Sequence, residues 1–356
     1  MLLPFSRDSW PFQMYGNVSL GKESNKKTNY TLFFHAFLCF KHQISFTNIR
    51  PCFLFLLTIS FTSMFEKYFM IAIRDGRVPP IYLYFVIISM GFAYCSEKTG
   101  IFNLAFYFVA LVSYGFLLVS INLFDDYFDY KNGIDKPDSP NTAYRNHPVF
   151  YYQMKPNLLL RLAMASIVLS FLIFFVFSVI EDDYTMILFE IAGIAIAYGY
   201  TGPPFEFKYR AVGEIILMLS FILIFNSIVF FQIRNISLNS ILLSLPFSLL
   251  LFVLLYIGNF RDIENDRGKI KTIAVLLGKK KSKILMETIS SIAVIIIVLF
   301  VFFKILSPIF LITLITFPFL VRFFHKIGSI PAKDIENYYG NIISLYGILF
   351  IVSCLI

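Results

Sequence analysis

Two acidic segments carry the residues in this sequence that are best suited to chemistry. Their carboxylates are Asp125, Asp126, Asp129 and Asp135 in the first segment, and Asp262 and Asp266 in the second. Asp125 and Asp129 are four residues apart, and so are Asp262 and Asp266. That spacing places each pair on one face of a helical turn. Each pair can therefore converge on a single ligand.

Carboxylates at this spacing repel one another, and they resist joint ionisation unless a cation compensates their charge. Mg²⁺ fits this requirement because it takes oxygen ligands, binds through one or two carboxylates and fills its other positions with water and phosphate. Basic residues on the same side of the predicted membrane could complete a cage around a diphosphate. They are Lys208, Arg210, Arg261, Lys269 and Lys271. Either acidic segment alone is equally well explained as a solvated turn, but the two together favour a Mg²⁺-diphosphate site.

The composition indicates which elements must position these residues. Of the 356 residues, 58% are hydrophobic and 15% are charged, which is far more apolar than a soluble domain. Apolar runs of about 20 residues, the length that crosses a bilayer, recur from Pro79 to the last residue. We predict an all-α bundle of nine membrane spans at about 79–95, 101–123, 157–180, 185–200, 212–232, 239–258, 284–304, 307–324 and 340–356. Both acidic segments then begin at span ends, in extended loops on the same side.

The distribution of basic residues predicts the orientation of the bundle. The segments after spans two, four, six and eight hold most of the lysines and arginines, whereas the opposite segments hold Lys98, Arg234 and Lys304. The positive-inside rule places the basic side, with both acidic segments, in the cytoplasm. The net charge of +8 is explained by this pattern, so we expect a lipid bilayer and no nucleic acid as partner. The four histidines, His147 among them, are scattered and are expected to be surface or interfacial residues.

The two segments resemble motifs of the UbiA superfamily of intramembrane prenyltransferases, whose members have nine helices. The resemblance covers nearly everything from residue 74 to the C-terminus, and it includes a third motif at 200–214. Within the superfamily, 125–135 and 261–267 are most similar to the 1,4-dihydroxy-2-naphthoate prenyltransferases of menaquinone synthesis. Residues 64–356 would form this transmembrane domain. Residues 1–63 would be an extension that is interfacial, disordered or not native.

The resemblance implies a Mg²⁺-dependent transfer of a polyprenyl group from a prenyl diphosphate to an aromatic acceptor. The implied catalytic and metal-binding residues are Asp125, Asp126, Asp129, Asp262 and Asp266. The implied substrate-binding residues are Asp135, Arg77, Tyr200, Lys208, Arg210, Asn259, Arg261 and Lys271. Arg77, before the first span, either pairs with an acceptor carboxylate or anchors the helix at the interface.

Three alternatives remain at this point. Related transferases act on 4-hydroxybenzoate, homogentisate, a porphyrin or a glycerol phosphate lipid, so the acceptor could differ. An ion-coupled transporter also carries acidic residues near broken helices, although here the clusters lie at span ends rather than at mid-membrane. A structural subunit of a membrane complex would leave both carboxylate clusters unexplained.

Overall fold

The computed structural model describes residues 78–139, 142 and 146–356, and the regular elements in this part of the chain are helices. In chain order they are α1 (Val78–Thr99), α2 (Leu104–Lys131), α3 (Pro156–Glu181), α4 (Thr185–Gly199), α5 (Gly213–Ile233), α6 (Leu238–Arg261), α7 (Ile263–Asp266), α8 (Ile273–Phe302), α9 (Phe317–Lys326) and α10 (Ile335–Leu355). A 3₁₀ turn covers Phe207–Tyr209, and a 3₁₀ segment, Pro308–Thr316, leads into α9. Arg77 and the extension at 1–63 lie outside the described residues.

The all-α, polytopic prediction is confirmed, and each predicted span overlaps a helix. Seven helical segments of the described chain are long and apolar enough to cross a membrane. The two remaining candidates are α1 and α4, of which α4 has 15 residues, so the count of nine spans stays a prediction. The helices pack with α2 along α3, α6 along α5 and α8, and α1 against α5 and α10.

The prediction that the first acidic segment begins in an extended loop was wrong. Helix α2 continues eight residues beyond the predicted span end at 123 and stops at Lys131, so Asp125, Asp126 and Asp129 are all helical. At the end of the helix, the backbone N–H of Asn132 donates to the carbonyl of Phe128. The next residue, Gly133, has a φ of +69°. Glycine adopts such a left-handed conformation at little cost. The acidic residues therefore lie on a rigid helix end.

Helix α8 also starts earlier than the apolar pattern indicated, at Ile273 rather than near 284, and it is interrupted at Gly278. Three lysines come directly after this break: Lys279, Lys280 and Lys281. They lie on the same side of the bundle as the ends of α2 and α6. A short parallel bridge between Arg210 and Lys271 connects the loop after α4 with the segment after α7. The ends of α2, α4 and α6 are thus brought together.

We expect this side of the bundle to face the cytoplasm. In a variant without native cysteines, cysteine placed at the exposed Lys279 should resist a membrane-impermeant thiol reagent in intact cells and react after lysis. Cysteine at Lys304, which is exposed in the opposite loop, should react in intact cells and serves as the matched control. Labelling of the Lys279 position in intact cells would reverse the orientation.

Candidate active site at the ends of α2 and α6

The first acidic pair is held by a lysine from a distant loop. Lys208, in the 3₁₀ turn after α4, places its Nζ 2.5 Å from Oδ1 of Asp125 and 2.6 Å from Oδ2 of Asp129. The Asp129 side chain is fully buried, and the Lys208 side chain is 12% exposed. The spacing of four residues does put both carboxylates on one face of α2, as predicted, and the two converge on one cation.

The charge state of this group follows from its surroundings. Burial lowers the pKa of Lys208, but the carboxylates of Asp125 and Asp129 raise it by more than burial lowers it. The pKa of Lys208 therefore lies well above its ordinary value. Lys208 is therefore an ammonium. Tyr209 donates its hydroxyl to Oδ1 of Asp129 at 2.7 Å. Burial and the Asp129 charge raise the pKa of Tyr209, which keeps the phenol protonated and able to donate.

The second acidic pair lies on α7 and the residue before it. Arg261 donates to both oxygens of Asp262, at 2.8 and 2.7 Å, and through a third nitrogen to Oε1 of Glu336 at 2.7 Å. Glu336 belongs to the first turn of α10 and reaches across to the end of α6. Gly258 makes room for it, because a Cβ at that position would lie 3.0 Å from Oε1 of Glu336. Arg261 thus orients Asp262 and is itself oriented by α10.

Electrostatics connect the second pair to the first. Burial and the neighbouring Asp262 carboxylate raise the pKa of Asp266 to about 6, while the Lys208 ammonium acts in the opposite direction. Lys208 is the common counter-charge, since it contacts Asp125 and Asp129 directly and also influences Asp266. The charge of Lys208 therefore acts on acids of both pairs.

The side chains of Asp126 and Asp135 form a second group next to this site, together with His147. The Nε2 of His147 lies 3.7 Å from Oδ1 of Asp126 and 3.3 Å from Oδ2 of Asp135. All three residues are buried, and their potential ligand atoms lie within 4.8 Å of one another. The expectation that His147 is a surface or interfacial residue was wrong, because it is 1% exposed.

The remaining predicted residues differ in how close they come to the carboxylates. The carbonyl of Tyr200 accepts from the backbone N–H of Lys208 at 2.8 Å. Asn259 donates to Glu214 at 2.8 Å, one turn before the second pair. Arg210 and Lys271 are exposed and meet through their backbones, while the Arg210 guanidinium donates to the carbonyl of Pro204. The side chains of Arg210 and Lys271 thus remain at the rim.

Sequence reasoning missed four residues whose side chains contact predicted site residues: Tyr209, Glu214, Glu336 and His147. Tyr209 adjoins the predicted Lys208, and the buried Glu214 lies in the third motif, so position in the motif could have found both. Glu336 and His147 stand alone in their segments. Nothing in the local sequence distinguishes them, because the contacts of Glu336 with Arg261 and of His147 with Asp126 and Asp135 are tertiary contacts.

The chemistry of the site suits a hard divalent cation. Asp125, Asp129, Asp262 and Asp266 offer only carboxylate oxygens, which Mg²⁺ prefers. The Lys208 ammonium already lies between two of them at hydrogen-bond distance, so this position favours positive charge. These residues fit Mg²⁺.

Comparison with known proteins gives consistent matches. The model of the UbiA prenyltransferase family matches residues 84–338. The chain is 33% identical over 180 residues to 1,4-dihydroxy-2-naphthoate octaprenyltransferase of Bacillus subtilis, covering 50% of this chain and 57% of that enzyme. It is 28% identical over 219 residues to 2-carboxy-1,4-naphthoquinone phytyltransferase of Synechocystis sp., covering 60% and 68%. The chain thus spans little more than half the length of the Bacillus enzyme.

A solved structure has the same fold. A UbiA homologue from Archaeoglobus fulgidus, bound to GPP and Mg²⁺, superposes with a TM-score of 0.57 at 15% sequence identity. The superposition covers 79% of this chain and 98% of that one.

Proposed function

Because the chain belongs to the UbiA prenyltransferase family, we propose that it transfers a polyprenyl group from a prenyl diphosphate to an aromatic acceptor within the membrane. The reaction depends on Mg²⁺. The acceptor is 1,4-dihydroxy-2-naphthoate, as in menaquinone biosynthesis. Two relatives named after a dihydroxynaphthoate and a carboxynaphthoquinone support this choice of acceptor.

The observation that carries the proposal is the position of Lys208. Its ammonium bridges Asp125 and Asp129 and acts electrostatically on Asp266. A site that gathers four carboxylates and one ammonium is complementary to a cation together with a polyanion. A transporter of a simple cation would have no use for the ammonium, which competes for the same oxygens.

The four aspartates of the two pairs would hold Mg²⁺, and each has a defined support. Lys208 contacts both Asp125 and Asp129, and Tyr209 also donates to Asp129. Arg261 donates to Asp262, and Asn265 donates to Asp266 at 3.1 Å. When bound, the metal stabilises the negative charge that develops on the departing diphosphate. Lys208 can donate to the same diphosphate oxygens once its carboxylates are engaged, since an ammonium has three donors.

The reaction itself is a substitution at the allylic carbon. The bond between this carbon and the diphosphate oxygen breaks, and the electron pair leaves with the diphosphate. The electron-rich ring then forms a carbon–carbon bond to the allylic cation and loses its carboxylate as CO₂, which restores aromaticity. The apolar bundle below the carboxylates excludes bulk water from the cation.

A direct test uses purified protein in liposomes with radiolabelled prenyl diphosphates and a panel of acceptors. We expect a prenylated naphthalene product with 1,4-dihydroxy-2-naphthoate, together with released CO₂, in Mg²⁺ and none in EDTA. Product with a different acceptor would overturn the choice of acceptor. Absence of both product and Mg²⁺-dependent binding of prenyl diphosphate would overturn the enzyme class and favour the transporter.

A further inference from the structure

We propose that His147 is a positioning residue that fixes Asp126 and Asp135, and through them the end of α2 that presents Asp125 and Asp129. This inference rests on the proposed function. His147 is buried and lies outside the three sequence motifs. His147 does not contact the first acidic pair, so its effect passes through the two carboxylates next to it.

The position of the His147 ring is well defined. Its Nε2 faces Asp135 at 3.3 Å and Asp126 at 3.7 Å. One side of the ring packs against Phe150, with the ring centroids 4.9 Å apart, and Phe150 packs against Tyr130 at 5.6 Å. Tyr130 belongs to the last turn of α2. The histidine is thus attached to the helix end by ring packing as well as by its polar contacts.

The protonation of the ring indicates what it can do. The backbone N–H of Val149 donates to Nδ1 of His147 at 3.2 Å, so Nδ1 presents a lone pair. In a neutral imidazole the proton is then on Nε2, and Nε2–H faces the two carboxylates. A metal ion at Nε2 would need the lone pair there and the proton on Nδ1. The Val149 contact therefore favours a proton on Nε2 over a metal ion there, although the three ligand atoms are close enough for an ion. Among the described residues Nε2 completes no hydrogen bond, so its N–H acts on the two nearby carboxylates as a dipole at 3.3 and 3.7 Å.

Short covalent and backbone links connect this group to the site. Asp126 lies on the same helical turn as Asp125 and Asp129. The backbone N–H groups of Ile134 and Asp135 both donate to the carbonyl of Asp129, at 2.9 and 3.2 Å. A shift of Asp135 would therefore also move Asp129, which binds Lys208. Residues that hold metal ligands in place usually affect metal affinity strongly, and Asp135 is bonded through its backbone to the proposed ligand Asp129.

The test compares His147→Leu, which removes the donor, with His147→Gln, whose amide nitrogen reaches about as far as Nε2. The assay is Mg²⁺-dependent binding of an unreactive prenyl thiodiphosphate to full-length protein in detergent, with thermal unfolding followed in parallel. We expect the half-saturating Mg²⁺ concentration to rise about tenfold or more in the leucine variant. The glutamine variant should remain close to wild type. His325→Leu, at an exposed histidine, is the matched control and should change nothing.

Three other outcomes would contradict a positioning role. Equal Mg²⁺ requirements in His147→Leu and wild type, even with a lower unfolding temperature, would leave His147 a packing residue. Tightly bound metal that is present in wild type and lost in the leucine variant would make the group a metal centre instead. If the leucine variant does not fold, His147→Asn replaces it, and equal behaviour of the asparagine and glutamine variants would overturn the proposal. If wild type itself binds no prenyl thiodiphosphate with Mg²⁺, the proposed function has failed rather than this inference.

Discussion

Replacing Asp129 with Asn should lower prenyl transfer by about a hundredfold or more, because a carboxylate that would hold Mg²⁺ is lost while the size of the side chain is retained. The protein should stay folded, since Lys208 keeps its contact with Asp125 at 2.5 Å. Asp266→Asn should have an effect of similar size. It also relieves the repulsion between Asp266 and Asp262 in the unliganded protein, so its unfolding temperature without Mg²⁺ should not fall.

The double variant should be scarcely slower than either single variant, because residues that act as a unit are not additive in their kinetic effects. Glu264→Gln is the matched control, since Glu264 is an exposed acid between Asp262 and Asp266, and it should retain normal turnover. Rates would be measured as Mg²⁺-dependent transfer in liposomes. Near-normal transfer by either aspartate variant would refute a diphosphate site shared by the two clusters.

Lys208→Met should both reduce transfer by about a hundredfold or more and destabilise the unliganded protein. Its ammonium compensates two largely buried carboxylates, and removing one partner of a buried ion pair typically costs about 3–5 kcal/mol. Added Mg²⁺ replaces the missing positive charge. We therefore expect Mg²⁺ to raise the unfolding temperature more in this variant than in wild type.

The measurement is thermal unfolding in detergent with and without Mg²⁺, combined with the transfer assay. Lys136→Met, at an exposed lysine in the loop after α2, controls for the loss of one positive charge. Unchanged stability of Lys208→Met without Mg²⁺ would mean that the ammonium does not hold the pair together in solution. Unchanged transfer would remove Lys208 from the diphosphate site.

Much of the fold and the centre of the site could be predicted from local patterns. Apolar runs located the helices because the bilayer demands long apolar segments. The four-residue spacing of Asp125 and Asp129 correctly placed both on one helical face. Lys208 was among the predicted diphosphate ligands because it lies in a basic loop on the same side. Its direct contact with α2 could not be predicted, since it depends on how α4 packs.

The failures arose where tertiary contacts override local polarity. The pattern ended the second span at 123 because charged residues follow, yet α2 continues to Lys131. Its charged residues are tolerated because Asp126 and Asp129 face protein rather than lipid. The predicted role of Asp126 as a metal ligand stays a prediction; a rotation of about 100° per residue turns its side chain away from those of Asp125 and Asp129 and towards His147. Its partner His147 carries no local signal, since a lone buried histidine and a lone surface histidine look alike in sequence.

Helices α6 and α8 pack side by side, yet they experience different surroundings. In the most apolar 18-residue stretch of α6, 67% of the residues are buried, whereas in the corresponding stretch of α8 only 28% are buried. Most of α8 therefore meets hydrocarbon, which accepts any aliphatic side chain and sets no demand on its shape. Natural selection should let residues such as Val298 and Leu299 exchange freely for other apolar types, while α6 changes slowly. Distant descendants of this protein should remain alignable along α6 after their resemblance along α8 has been lost.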